Sequence, residues 1–346
     1  VFVKNATEGL NLLALGLFQE TALKTSPALP EGGGKAALPL SEHHSNFLPW
    51  IRAAEKAGGK AEILDPGEAG LPAPGEIEAK IWPWVRVAAF ALVSHVLGAR
   101  LPVEALIRRA RSFKALTVLD CAQGAAHIPV NVKELGVDFA VFSGHKLYGP
   151  LGSGFLYGRR ELLETLPPVF WGGNMTEGFG KEAFPETSGG GLEALPPPAR
   201  FEAGTQDTAA AVGLAEGLRF LAGFGWDRLR DREGRLMEEL FEGMAGIPGL
   251  RIIGSPRPEE HLGVVSWTLE GVHPHDLASF LDQRGICIRA GHHCAPHFLR
   301  HFNLTAACRV SLGLYNTRRD IARLIKALRE GAAALSPKSS PAEAIG

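Results

Sequence analysis

Apolar positions recur with two different periods along this chain, and their alternation sets the expected fold. Short apolar runs of strand type occur at residues 1–3, 61–64, 87–93, 116–119, 139–142 and 154–157. Residues 10–18, opened by Thr7-Glu8-Gly9, and residues 102–112 carry a helical period instead. Strands that alternate with helices build βαβ units, so the pattern predicts a mainly parallel sheet covered on both faces. Residues 28–39 and 171–198 are rich in Gly and Pro and read as loops. Two helices follow, at 208–222 and 226–245. The pattern then changes to strands at 251–253, 263–269 and 286–288, a loop at 296–307 and a last helix at 318–335. The expected division is a large α/β domain over 1–225, a smaller α+β domain over 226–335 and a disordered tail over 336–346.

Composition narrows the class. The 346 residues are 45% hydrophobic and 21% charged, as in an ordinary globular enzyme large enough for two domains. A net charge of −1 gives no global field for nucleic acid or an anionic membrane. No apolar run approaches the roughly eighteen residues of a membrane span. Cys121, Cys287, Cys294 and Cys308 show no paired spacing, which predicts free thiols and a cytoplasmic location.

The chemistry-bearing residues lie where the predicted strands end. Ser143-Gly144-His145-Lys146 follows the run Asp138 to Phe142, and Thr117-Val118-Leu119 ends in Asp120 with Gln123 close behind. Parallel sheets place ligands beyond the carboxyl ends of their strands. A lysine amine that can form an imine, with a strand-end aspartate for a ring nitrogen, is the protein's half of pyridoxal phosphate chemistry. Taken singly, the lysine reads as solvated and the aspartate as a turn or cap residue. Thr7-Glu8-Gly9 at a helix start suits a phosphate, or is a plain N-cap. His43-His44 could stack on a flat cofactor and shuttle protons. The tract Gly291-His292-His293-Cys294, with His297 and His301, fits no structural zinc spacing, so no metal is expected. Cys308 precedes Arg309-Val310-Ser311, read as a strand start after the loop at 296–307. A thiol on a loop tip beside a cation is the setting of a reactive cysteine, but taken alone a buried inert thiol is the better reading.

Several blocks of the chain together resemble the Suf-type (group II) cysteine desulfurases of the class V aminotransferase-like pyridoxal phosphate enzymes. They are Val1-Phe2-Val3 with Thr7-Glu8-Gly9-Leu10-Asn11-Leu12, Glu42-His43-His44-Ser45-Asn46-Phe47-Leu48-Pro49-Trp50, Asp120-Cys121-Ala122-Gln123, and Phe142 through Pro150. Arg200-Phe201-Glu202-Ala203-Gly204-Thr205, Arg289-Ala290-Gly291-His292-His293-Cys294 and Cys308-Arg309-Val310-Ser311-Leu312 complete the set. The resemblance implies the fold-type I architecture of pyridoxal-phosphate-dependent transferases and a homodimer. It implies Lys146 as the cofactor's covalent anchor and proton carrier, Asp120 at its ring nitrogen, His43 stacked on its ring and Gln123 near its phenolic oxygen. Thr7, Ser143 and His145 would hold the phosphate, and Thr205 the phosphate of the neighbouring subunit. Arg323 would bind the substrate carboxylate. Cys308, rather than Cys294, would take sulfur from L-cysteine as a persulfide and release L-alanine. The short stretch between Cys294 and Cys308 matches enzymes that need a SufE- or SufU-like sulfur acceptor serving iron–sulfur cluster assembly. A selenocysteine lyase would use the same apparatus, and a truncated non-catalytic subunit or fragment is the alternative from another class.

The chain departs from the family in three places. The family has a substantial segment before the position of Val1, so a fragment or processed product is expected. His95 stands in Ser94-His95-Val96-Leu97-Gly98 where the family has Asn, and would take over that residue's part in placing the cofactor. Residues 28–39 and 180–198 do not follow the usual pattern, and Asp207 replaces a common Asn.

Overall fold

The computed structural model describes residues 1–19, 34–176 and 194–335, so the expected tail and parts of both Gly/Pro-rich loops lie outside the described residues. Two compact units result. The first comprises residues 1–67, 71–92 and 101–226; the second takes 68–70, 93–100 and the chain from Asp227 onward.

The first unit is built on a seven-stranded sheet. Its strands are β1 (Phe2–Val3), β2 (Lys35–Pro39), β3 (Ala61–Leu64), β4 (Val85–Ala91), β5 (Leu116–Asp120), β6 (Phe139–Ser143) and β7 (Gly154–Gly158), in the order β1-β7-β6-β5-β4-β2-β3. The pairs among β2 to β6 are parallel; β7 and β1 are antiparallel. The mainly parallel α/β sheet expected from the sequence is therefore present. All seven residues of β4 and all five of β6 are buried, as strands covered on both faces require. Register brings Ala91 opposite Asp120, and Asp120 opposite Val141, so the strand ends line up. The helix Ala6–Leu17 buries Leu10, Leu13 and Leu17 against this sheet, and Asn5 caps it by accepting from the Glu8 N–H.

The second unit holds a four-stranded antiparallel sheet, β8 (Leu250–Ile252), β9 (Val264–Leu269), β10 (Arg289–Gly291) and β11 (Ala307–Ser311), in the order β10-β11-β9-β8. Met237 and Leu240 of the helix Trp226–Ala245, Leu281 of Pro274–Asp282 and Leu328 of Arg318–Leu335 pack with Trp267 into its core. Residues 93–100 are drawn into this unit although β4 precedes and β5 follows them. They form a turn closed by a Val93–Arg100 bridge and the Gly98 N–H to Ser94 carbonyl bond. Gly98 has φ +73°, and a Cβ there would stand 2.1 Å from the Val264 carbonyl oxygen, so only glycine lets the turn lie this close to β9.

Three elements differ from the sequence-based expectation. Residues 35–39, read as loop, form β2, because Ala36, Ala37 and Leu38 fill the space between β3 and β4. The strand expected at 286–288 lies instead at Arg289–Gly291, since the Ile286 N–H is committed to Leu281 at the end of the preceding helix. Pro296 opens the short helix Pro296–His301 rather than a loop; proline at a first turn has the required φ and no N–H to satisfy.

Candidate active site

In the first unit the chemistry gathers at the carboxyl ends of β5 and β6. Asp120 ends β5 as a buried carboxylate whose Oδ1 accepts the Ala122 N–H at 2.9 Å. Burial raises its pKa, while the Ala122 N–H and then the charge of Lys146 pull it back. Lys146 closes the 3-10 turn Gly144–Lys146 that follows β6. That turn is tight. The Gly144 N–H donates to the Ser153 carbonyl at 2.7 Å, and a Cβ on Gly144 would fall 2.2 Å from the Ser153 hydroxyl. His145 is exposed overall; partial desolvation and then the neighbouring Lys146 charge lower its pKa.

Hydroxyls and a histidine converge on the start of the helix Ala6–Leu17. Ser143 Oγ accepts the Ala6 N–H at 2.9 Å. Thr7 Oγ1 lies 2.7 Å from Ser45 Oγ, and His43 Nδ1 accepts the Ser45 N–H at 3.0 Å. The helix start thus links Thr7, Ser143 and, through Ser45, His43. Behind them Glu42 is wholly buried: Oε1 accepts the Ala91 N–H at 2.8 Å and Oε2 the Asn46 amide at 2.7 Å. Trp50 Nε1 donates in turn to Asn46 Oδ1 at 2.9 Å. Desolvation pushes the Glu42 pKa up to about 8 despite these two donors, with Asp120 adding to the rise. Glu42 ties the histidine turn to the end of β4, a role the sequence reading did not give it. The only signal was its place in the block Glu42 to Trp50.

Two expected residues of this unit stand differently. Gln123 is half-buried, with its amide 3.4 Å from His127 Nε2. Thr205 is exposed and lines a cavity of about 420 Å³ with Phe2, Lys4, Phe170 and Gln206.

The second unit carries three of the four thiols, Cys287, Cys294 and Cys308, and here the structure corrects the loop-tip reading of Cys308. Cys308 is not on a loop tip. It sits inside β11, opposite Ala290 of β10 and Trp267 of β9, 1% exposed, with Sγ donating to the Pro274 carbonyl at 3.5 Å. Burial pushes its pKa up to about 12, so at neutral pH it is an inert thiol rather than a thiolate. Cys294, set aside on sequence grounds, is the half-exposed one. It follows β10 in a turn where His293 has φ +52° and Cys294 φ +60°, left-handed conformations that cost a side-chain-bearing residue roughly 1–2 kcal/mol each. The Cys294 N–H donates to His292 Nδ1 at 3.0 Å, and Arg289 Nη2 lies 3.7 Å from its sulfur.

Arg309, adjacent to Cys308 in β11, points its charge at the same turn. Nη1 donates to the His95 carbonyl at 2.9 Å, while Nε is buried with no hydrogen-bond partner among the described residues. Burial and then repulsion from Arg289 lower its pKa to about 10. Neither arginine has a carboxylate partner among the described residues, so their charges stand uncompensated by the protein there. His293 is buried beside them, and desolvation, Arg309 and Arg289 together hold its pKa down to about 3, leaving it neutral. Arg323, expected at the substrate carboxylate, is exposed on its helix and donates to the Arg284 carbonyl at 3.3 Å. A guanidinium spent on capping a helix end in solvent is poorly placed to bind a substrate; Arg309 is the better candidate. His95 belongs to this unit, and its Nε2 lies 2.8 Å from the His293 carbonyl oxygen. That bond reaches the cysteine turn.

Among the described residues, no three His, Cys, Asp or Glu side chains gather as a metal site, and no helix is long and apolar enough to cross a membrane.

Comparison with known proteins places these groups in context. Residues 1–324 match the family model described as aminotransferase class-V. A probable cysteine desulfurase of Mycobacterium leprae is 40% identical over 328 residues, covering 94% of this chain and 75% of that protein. Among solved structures, a cysteine desulfurase from Thermococcus onnurineus superposes with a TM-score of 0.87 at 35% identity, over 97% of this chain and 79% of the other. The Escherichia coli cysteine desulfurase CsdA, solved as its S-sulfonic acid, gives a TM-score of 0.85 at 31% identity over 97% of this chain and 79% of that one.

Proposed function

The chain belongs to the aminotransferase class-V family, and on that footing we propose that it is a pyridoxal-phosphate-dependent cysteine desulfurase whose sulfur carrier is Cys294. The residues of the first unit fit the cofactor. Asp120 is a buried carboxylate at a strand end, as a cationic ring N–H requires, and Lys146 is the amine within its electrostatic reach. The Thr7 and Ser143 hydroxyls at a helix start, with exposed His145 beside them, suit a phosphate. His43 accepts the Ser45 N–H through Nδ1, which leaves Nε2 as its proton-bearing nitrogen, and Gln123 adds an amide. Once bound through Lys146, pyridoxal phosphate supplies an electron sink that weakens the bonds at the substrate's α-carbon.

The chain's own groups then divide the work. Lys146 takes the α-proton of L-cysteine and returns one in forming L-alanine. Arg309, aided by Arg289, binds the substrate carboxylate; this replaces the earlier assignment to Arg323. The Cys294 thiolate attacks the substrate sulfur, the carbon–sulfur bond breaks, and the sulfur stays on the enzyme as a persulfide. Cysteine plus enzyme thiol thereby gives alanine plus enzyme persulfide, with no oxidant consumed.

The observation that carries this reading is the contrast between the two thiols: Cys294 half-exposed beside two guanidiniums, Cys308 sealed inside a sheet. Single turnover of the cofactor-loaded protein with L-cysteine, followed by peptide mass mapping, tests it. The Cys308→Ala protein is expected to release alanine and carry a sulfur adduct on the Cys294 peptide; the Cys294→Ala protein is not. An adduct mapped to Cys308 would overturn the assignment.

The same reading extends outward. Exposed Phe2, Leu151, Phe170, Trp171, Val212 and Phe220 on the first unit support a homodimer, in which Thr205 would serve the neighbouring subunit's phosphate. Four free cysteines agree with a cytoplasmic setting. Cys294 is only half-exposed in a constrained turn, which favours handing its sulfur to a dedicated SufE- or SufU-like protein, with iron–sulfur cluster assembly as the destination.

A further inference from the structure

We propose that His95 is a positioning residue for Cys294, acting through the carbonyl of His293. The inference rests on the assignment of Cys294 as the sulfur carrier, and it concerns the residue at which this chain departs from the family it resembles.

Three observations carry it. The His95 ring is 5% exposed, and its Nε2 stands 2.8 Å from the His293 oxygen. A carbonyl only accepts, so Nε2 holds the proton and donates. The acceptor belongs to the turn in which His293 and Cys294 both adopt positive φ, a backbone that persists only where its surroundings hold it. The second observation is that His95 also holds Arg309, whose Nη1 donates to the His95 carbonyl. One residue therefore grips the thiol's turn by its side chain and the anion-binding guanidinium by its backbone. The turn that carries the sulfur and the Arg309 guanidinium thus share one anchor residue.

The third observation is that this anchor is rigid. The Leu262 N–H donates to the Gly98 carbonyl at 2.9 Å, and Ser266 Oγ donates to the Val96 carbonyl at 2.6 Å. Gly98 leaves no room beneath the Val264 carbonyl. An imidazole Nε2 reaches further from the backbone than an asparagine amide, so histidine can span to the turn from this fixed base. A histidine satisfied only as core packing would have no consequence for the thiol, and that difference is measurable.

The test reads the thiol itself rather than turnover. The full chain loaded with pyridoxal phosphate is treated with iodoacetamide at low and high salt, and alkylation of Cys294 is followed by peptide mass mapping. The variants are His95→Phe, which keeps a ring without a donor, His95→Gln, whose amide nitrogen approximates the reach of Nε2, and His95→Asn. The His95→Phe protein is expected to alkylate about fivefold more slowly at low salt and to lose its salt dependence, because the sulfur leaves the field of Arg289 and Arg309. The Gln variant should return within twofold of the original rate, and the Asn variant should stay slow. Buried Cys308 serves as an internal reporter of folding, since it should remain unmodified throughout. If His95→Phe exposes Cys308, the comparison passes to Gln against Asn, and equal rates for those two would overturn the proposal. So would a folded His95→Phe protein with unchanged rate and salt dependence. Loss of the sulfur-carrier assignment would show separately, as persulfide surviving in Cys294→Ala.

Discussion

The cofactor residues of the first unit and the thiol turn of the second solve opposite problems. Asp120, Ser143 and Lys146 take their positions from strand register: each ends a buried parallel strand or the turn just after it. Their placement follows from the sheet, and hydrogen bonds such as Ala6 to Ser143 only fix rotamers. Cys294 instead sits in a strained turn held from outside, by Arg289, His292 and His95. Register makes a site that local sequence can announce. A turn held in part by so distant a partner cannot be announced that way, because the His95 ring that meets the His293 carbonyl lies 198 residues upstream.

The comparison is broken most severely at the lysine. Lys146→Ala should abolish the visible absorbance of bound cofactor and lower turnover about a thousandfold, as expected on losing a covalent anchor and acid–base group; an unchanged spectrum would reject the anchor. Arg309→Lys should come next, raising KM for L-cysteine about tenfold through loss of a forked contact, while Arg323→Ala leaves KM within twofold. Steady-state kinetics on both variants separates the two arginines.

A pH experiment sharpens the first unit's side. Glu42 has a folded pKa raised to about 8, against an ordinary value of 4.5. Below the lower value both states hold the proton and the contribution is complete. Between the two the folded state alone holds it, so stability falls as pH rises and levels off above about 8, by an amount on the order of a few kcal/mol. Denaturation from pH 5 to 9 should show this decline, and Glu42→Gln should flatten it. Equal slopes would mean that Glu42 is ionised in the fold. The smallest effect belongs to Cys308→Ala, expected to cost about 1 kcal/mol for the cavity left in the sheet while turnover stays within twofold.

The sequence exposed the first unit well because its signals are local. Apolar runs in β4, β5 and β6 are long enough to demand burial on both faces, and the residues just past them fall where ligands bind. The helix Trp226–Ala245 and the helix Arg318–Leu335 were equally plain from their period. Reading failed where tertiary pairing decides. Cys308 lies next to an arginine in sequence, yet β9 and β10 flank it on both sides and remove it from water. Arg309 and Arg323 look alike as letters, but one is enclosed without a carboxylate partner among the described residues and the other caps a helix end in solvent. Glu42 was invisible for the same reason, since its importance comes from the Ala91 N–H that meets it from across the sheet.

The excursion at residues 93–100 has a consequence for how the chain is made. Translation delivers β4 and β5 on either side of it, and those strands can pair at once. The excursion cannot be satisfied then: His95 waits 198 residues for the His293 carbonyl, and its own carbonyl waits 214 for Arg309. Until the last part of the chain leaves the ribosome, Val96 and Leu97, both wholly enclosed in the finished protein, face water as an apolar loop. The segment proposed to steady the thiol is thus also one whose apolar residues gain their cover only late in synthesis.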